Sequence, residues 1–328
     1  MTRTRMLICG GTGFIGRNLV ERFAADERYE VTASHFRRPP VPVPQTRWVQ
    51  ADLRDPSAID RALEGVDVVL QAAAVTSGVN DVFTRPHIHI ADNAVMNSYL
   101  FRGAHEHGVR HVVFFSCTVM LPTSERPLSE DDFDANVEIH PRYFGPAWTK
   151  LYAEKMCEFY SRLGQTKFTA VRHSNVYGPH DKFDLDRSHV LGATVTKVMT
   201  SPDVVNVWGS GEESRDFVYI DDLADLVQRA IERQAAPFAV YNCGAGVPVT
   251  VNDLVSRVIA ASGKSLDVRH DRSKPSIAVS PFLDCGKAER ELGWRPRVSL
   301  GEGLARTVEW WRQQFQGQTT AAAVQSNG

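Results

Sequence analysis

The chain has no stretch that is apolar for the roughly 20 residues a membrane span needs, no run of lysine and arginine, and no pair of cysteines at CxxC spacing. Each absence excludes a class. Lys and Arg total 37 against 39 Asp and Glu, for a net charge of −2, so no basic footprint for nucleic acid exists. The five cysteines, Cys9, Cys117, Cys157, Cys243 and Cys285, are odd in number and scattered, which argues against a disulfide framework and against a zinc site; no metal is expected. The opening "MTRTRMLICGGTGFIG" passes straight into an apolar strand and a glycine turn, so no cleavable leader is expected. A reducing cytoplasm is the expected location, and no internal repeat is visible.

Apolar, strand-like runs alternate with helical patterns through the first half: Met6–Cys9, Glu30–Ser34, Trp48–Gln50, Val66–Gln71, His111–Ser116 and Phe168–His173 are strands, and Phe14–Ala24, Ser57–Leu63, Ala91–His107 and Trp148–Leu163 are helices. The alternation predicts an α/β fold, a Rossmann-like doubly wound parallel sheet with a smaller, discontinuous α/β substrate-binding lobe. Residues 1–175 form the dinucleotide-binding part, completed by about 215–245; 176–214 and 246–315 form the lobe; 316–328, "QGQTTAAAVQSNG", lacks periodicity and is expected to be disordered. Asp221 or Asp222 is expected to cap the helix that follows "RDFVYI".

"CGGTGFIGR" places Gly10, Gly13 and Gly16 directly after the first strand and at the start of a helix. Glycines there permit a tight turn and close approach of a pyrophosphate, which the free N–H groups around Phe14 and Ile15 would bind. The second strand ends in Ser34 and His35, followed by Arg37 and Arg38, with no carboxylate to accept a ribose 2′-OH. Two cations without an anion favour NADP(H) over NAD(H); the alternative is a pair of solvated arginines. Asp52 and Leu53, after the third strand, stand where an adenine amine can be met or where an ordinary turn lies.

The glycine fingerprint, "LQAAAV" after the fourth strand, "FFSCTV" after the fifth, the "TKLYAEK" helix, "SNVYGPHDKF" and "VWGSGEESRDFVYIDDLA" together resemble an extended short-chain dehydrogenase/reductase from about Met6 to Trp311. Within that superfamily, "NVYGPHDKFDLDRSHV", "VVNVWGSG", "RDF" and "SKP" followed by "FLDCGKAERELGW" are most similar to the GDP-L-fucose synthases. The resemblance implies an NADPH-dependent epimerase-reductase of a nucleotide-linked 4-keto-6-deoxyhexose. It implies that Ala72 and Ala73 line the cofactor, that Ser116 holds the oxygen at sugar C4, and that His180, with Cys117 on the opposite face of the sugar, moves protons at neighbouring carbons. Asn175, Lys197, Trp208, Arg215 and Lys274 would bind the nucleotide sugar, Arg215 either engaging phosphate or pairing with Asp216 or Asp221. A homodimer through the helices at 91–107 and 148–163 is expected, although their apolar faces could equally pack inside one chain.

Lys150 can hydrogen-bond a nicotinamide ribose and set a positive charge beside a proton donor. At about 4 Å and an effective dielectric near 20, that charge is worth on the order of 4 kcal/mol, enough to bring a phenol into working range. The resembled family carries that phenol four residues before the lysine; this chain has Pro146. Tyr143 is the nearest substitute, followed by Cys117, His180 or a water on Ser116. "KPSIAVSPF" also lacks the cations that the family carries after "KP", which leaves the nucleotide and the sugar open. Two other readings follow: an epimerase or dehydratase that recycles bound nicotinamide, and a dinucleotide-binding protein without catalysis.

Overall fold

The computed structural model describes residues 2–75, 86–185, 188–273 and 281–325. Strands β1 (Thr4–Cys9), β2 (Tyr29–His35), β3 (Thr46–Gln50), β4 (Val68–Gln71), β5 (His111–Phe115), β6 (Lys167–His173) and, after a gap, β11 (Phe238–Cys243) form one seven-stranded sheet. Its order is β11-β6-β5-β4-β1-β2-β3, and every pairing is parallel. This is the Rossmann-like doubly wound arrangement, with the order reversing between β1 and β4.

Helices cover both faces, so the central strands are apolar on both sides. Met6 and Ile8 pack with Leu19 and Phe23 of α1 (Phe14–Ala24) and with Leu223 and Val227 of α6 (Ile220–Arg233). Leu7 and Cys9, one step out of phase, pack on the other face with Ile59 and Leu63 of α2 (Pro56–Leu63), Leu100 and Phe101 of α3 (Ala91–Glu106), and Cys157 of α4 (Phe144–Leu163).

The rest of the chain forms shorter pairs: β7 (Asn175–Tyr177) with β10 (Phe217–Tyr219), β8 (Val204–Trp208) with β13 (Asp267–Asp271), and β9 (Ser214–Arg215) with β12 (Val249–Thr250). Around them lie α5 (Val190–Thr200), α7 (Val251–Ser262), α8 (Gly286–Leu292) and α9 (Leu300–Gln325). The Lys264 ammonium donates to the carbonyls of Val198, Met199 and Ser201 at 2.7–3.1 Å, closing the C-terminal end of α5.

Three elements differ from the sequence-based expectation. Helix α4 starts at Phe144 rather than Trp148, because Pro146 falls in the first turn, where its missing N–H has no intrahelical acceptor to lose. Helix α6 has no side-chain cap. Asp222 instead accepts from the backbone N–H of Arg297 at 2.9 Å and Val298 at 3.0 Å, and Asp221 pairs with Arg306. The tail expected to be irregular from 316 is helical as far as Gln325; its three consecutive alanines, 321–323, are the strongest helix formers.

Candidate functional site

The glycine turn is held from the side. Ser34, buried at the end of β2, accepts the N–H of Gly10 on its hydroxyl at 3.1 Å and that of Gly11 on its carbonyl at 2.8 Å. Gly10 has φ +75°, and a Cβ there would lie 2.6 Å from the Ala73 Cα and 2.8 Å from its nitrogen. A Cβ on Gly16 would collide with the Gly10 carbonyl. Gly13 stands at the N-cap of α1 and no side chain caps that end. Glycine backbone, a helix N-terminus open to an anion and the alanines after β4 thus meet where the strand order reverses. These residues fit a dinucleotide.

Arg38 reaches over the turn to donate to the Thr12 carbonyl at 3.3 Å, and Arg37 lies 5.4 Å from the Phe36 ring. Both stay exposed at the end of β2. Asp52 is otherwise engaged: its carboxylate is bound by the Arg54 guanidinium at 2.8 and 3.0 Å, which holds it below the usual range. Leu53 is buried.

At the C-terminal edge of the sheet, the Lys150 ammonium donates to the Phe115 carbonyl at 2.6 Å and lies 4.8 Å from the Phe114 ring. Burial pulls its pKa down, against the pull of Cys117 and Glu154. Burial pushes the Cys117 thiol up, opposed by the Lys150 charge. Tyr143 is likewise raised by burial, opposed by Arg215, with Cys117 also acting on it. Arg215, lowered by burial, is a cation that gains from an anion set beside it. Cys117 and Tyr143 pack on the same apolar cluster, with Ala147 and Leu151 of α4, and none of Lys150, Cys117, Tyr143 and Arg215 is fully exposed.

Ser116 is committed to a buried partner. Its hydroxyl, with no accessible surface, donates to Glu154 at 2.6 Å. Glu154 also binds Arg172 at 2.7 and 3.1 Å, in a fully buried pair. Glu154 lies one helical turn beyond Lys150 on α4, so the Ser116 hydroxyl is on the Lys150 side of the sheet but engaged with a carboxylate. His180 contacts α1 and α9. It takes a left-handed backbone, φ +66°, and its Nε2 meets Glu21 of α1 at 3.2 Å while its ring packs 5.1 Å from that of Trp310 on α9.

Of the remaining expected residues, Asn175 donates from its amide to the Asp216 carbonyl at 3.0 Å. Lys197 donates to the Asn206 carbonyl and lies 5.0 Å from the ring of Trp208, which is half exposed. Lys274 lies outside the described residues. Glu154, Arg172 and His173 were not anticipated. His173 carried a signal, a polar side chain at the C-terminal end of a parallel strand, where such sheets bind ligands.

Residues 6–244 match the NAD dependent epimerase/dehydratase family. The GDP-L-fucose synthase of Escherichia coli K12 is 29% identical over 327 residues, 95% of this chain and 97% of that one. The UDP-glucose 4-epimerase of Thermotoga maritima, solved with UDP-glucose, superposes with a TM-score of 0.82 at 26% identity, covering 94% and 99% of the two chains. DesIV, a dTDP-glucose 4,6-dehydratase from Streptomyces venezuelae solved with NAD, gives 0.80 at 26% identity over 96% and 98%. With the sheet order, the glycine turn and the lysine at the sheet edge, these likenesses establish that the chain belongs to the NAD dependent epimerase/dehydratase family of nucleotide-sugar-modifying enzymes.

Proposed function

We propose that the protein is an NADPH-dependent reductase or epimerase of a nucleotide-linked 4-keto-6-deoxyhexose. The observation that carries the reading is Lys150, fixed on the Phe115 carbonyl at the edge of the sheet and electrostatically coupled to Cys117. A bound nicotinamide dinucleotide supplies or accepts hydride. Lys150 orients its ribose and keeps positive charge beside the sugar carbonyl. Tyr143 and Arg215 hold the sugar and its diphosphate, the guanidinium pairing with phosphate oxygens. Cys117 faces the ring on the side of Lys150. Lys197 and Trp208 form a cation and aromatic pair suited to the outer part of the nucleotide. The preference for NADP(H) is supported by Arg37 and Arg38, both exposed where a 2′-phosphate would lie.

A homodimer is supported by the outer face of α4. Phe144, Trp148, Tyr152, Phe159 and Leu163 are each between 39% and 59% exposed there, beside Val95 of α3 at 39%. A monomer gains nothing from wetting such a stripe. The chain's five cysteines are all free, which suits a reducing compartment such as the cytoplasm, and no described helix is long and apolar enough to cross a membrane.

The test offers the purified protein NADPH with the GDP-, dTDP-, CDP- and UDP-linked 4-keto-6-deoxy sugars. Absorbance is followed and each product identified by NMR. Net NADPH consumption with one of them is expected. Product without net consumption assigns the second reading, an epimerase or dehydratase that recycles its nicotinamide, which the likeness to the Thermotoga epimerase and to DesIV favours. Cofactor binding with no turnover on any of the four leaves only the non-catalytic reading, which Pro146 favours.

A further inference from the structure

The ends of β2, β1, β4 and β5 stand side by side in the sheet. Arg37 and Arg38 follow the first, Gly10 the second and residues 72–75 the third, while the fourth ends at the Phe115 carbonyl that holds Lys150. Three strand spacings of about 4.8 Å separate the outer two, about 14 Å in all. A dinucleotide laid from the arginines to the lysine therefore crosses residues 72–75 with its nicotinamide half.

Those residues are three alanines and Val75, and the alanines have no side chain long enough to lock the path of the backbone. Helix α3 does so instead, from two buried asparagines one helical turn apart, Asn93 and Asn97. Asn97 accepts the Gln71 amide on Oδ1 at 2.8 Å, at the last residue of β4. Asn93 takes the other end of the segment by its backbone. Its Oδ1 accepts the Val75 N–H at 2.9 Å, and its Nδ2 donates to the Val75 carbonyl at 3.0 Å and to the His89 carbonyl at 2.8 Å. A carboxamide supplies that combination, one acceptor and two donors on a short stem.

The segment so held presses on the glycine turn, since a Cβ on Gly10 would lie 2.6 Å from the Ala73 Cα. Where α3 sets residues 72–75, it sets one wall of the trough between Gly10 and Lys150.

We propose that Asn93 is a positioning residue for the nicotinamide half of the dinucleotide. It touches no ligand and acts through the backbone of residues 72–75, the wall along which the nicotinamide ribose lies on its way to Lys150. The proposal rests on the functional reading above in one respect, that a nicotinamide dinucleotide binds.

The experiment titrates the full chain with NADPH and with 2′,5′-ADP, which carries the adenosine and its phosphates but no nicotinamide half. Asn93→Leu keeps the volume and suits a buried helix face, yet leaves the Val75 N–H and carbonyl without their partner. NADPH affinity, read by calorimetry, should fall about tenfold or more, and 2′,5′-ADP affinity should stay within about threefold. A general loss of packing lowers both. Equal losses for the two ligands, or an NADPH affinity within about threefold of wild type, would overturn the proposal. Hydrogen exchange on the wild type decides the matter even where the variant fails to fold: NADPH should slow exchange in the peptide that contains residues 72–75, and 2′,5′-ADP should not. The same exchange with either ligand sinks the idea. If the wild type takes NADH in place of NADPH, NADH and AMP serve as the pair and the same outcomes decide. If it binds neither dinucleotide, the functional reading itself falls and takes this one with it. With wild-type dinucleotide binding in hand, a failure belongs to Asn93 alone.

Discussion

Glu154 serves the Ser116 hydroxyl and both arms of the Arg172 guanidinium from a single carboxylate that is almost completely buried. Arg172 in turn donates to the Glu130 carbonyl at 2.9 Å. Removing one partner of such a pair leaves the other charge without compensation. Glu154→Gln is expected to cost about 3–5 kcal/mol, read as a lower urea midpoint at unchanged slope. His111 makes the opposite choice and is buried neutral, its Nε2 donating to the Thr169 hydroxyl at 2.8 Å, which itself donates to Gln234. Burial, with help from Lys167, lowers it to about 4. Between that value and the ordinary 6.5 the unfolded chain binds the proton and the folded one does not, so this group's contribution is whole above pH 6.5 and is lost as the pH falls toward 4. His111→Gln should therefore show a shallower loss of stability over that window, measured by denaturation at stepped pH. The Ser116–Glu154 bond was not legible in the Ser116 motif, because the acceptor stands 38 residues on, in α4.

Spacing made the secondary-structure elements legible. Alternating apolar runs and the Gly10, Gly13, Gly16 series placed the first strand, the turn and α1, because those residues answer to local geometry alone. Asp221 and Asp222 misled for the complementary reason. They stand at a helix start, yet tertiary partners at Arg306, Arg297 and Val298 claim them, and nothing local in the sequence announces partners 75 to 85 residues away. The Glu21 partner of His180 was equally absent from its motif, since it lies 159 residues earlier, in α1. The glycine turn gives the sharpest prediction at this scale. Gly10→Ala puts a side chain at positive φ and against the Ala73 backbone. It should lower stability by about 1–2 kcal/mol and weaken dinucleotide binding about tenfold or more, measured by thermal shift and fluorescence titration.

Over the whole molecule, the two sheet faces do different work: α1 and α6 close one side, and α3 and α4 close the other while leaving an aromatic stripe outward. If that stripe meets its copy, Tyr152→Asp combined with Phe159→Asp should halve the mass seen by light scattering while leaving the circular dichroism spectrum unchanged. The last helix, α9, crosses back to the loop that follows β7. Trp310 lies 5.1 Å from the His180 ring and 5.6 Å from that of Phe183, and Phe315 packs on Phe183 at 6.1 Å. The far end of the polypeptide is thereby a clasp on the segment leading to His189 and Lys197. A chain cut after Phe315 should keep its melting temperature, whereas one cut before Trp310 should release that segment to limited proteolysis, and a fusion partner belongs behind the clasp, never within it.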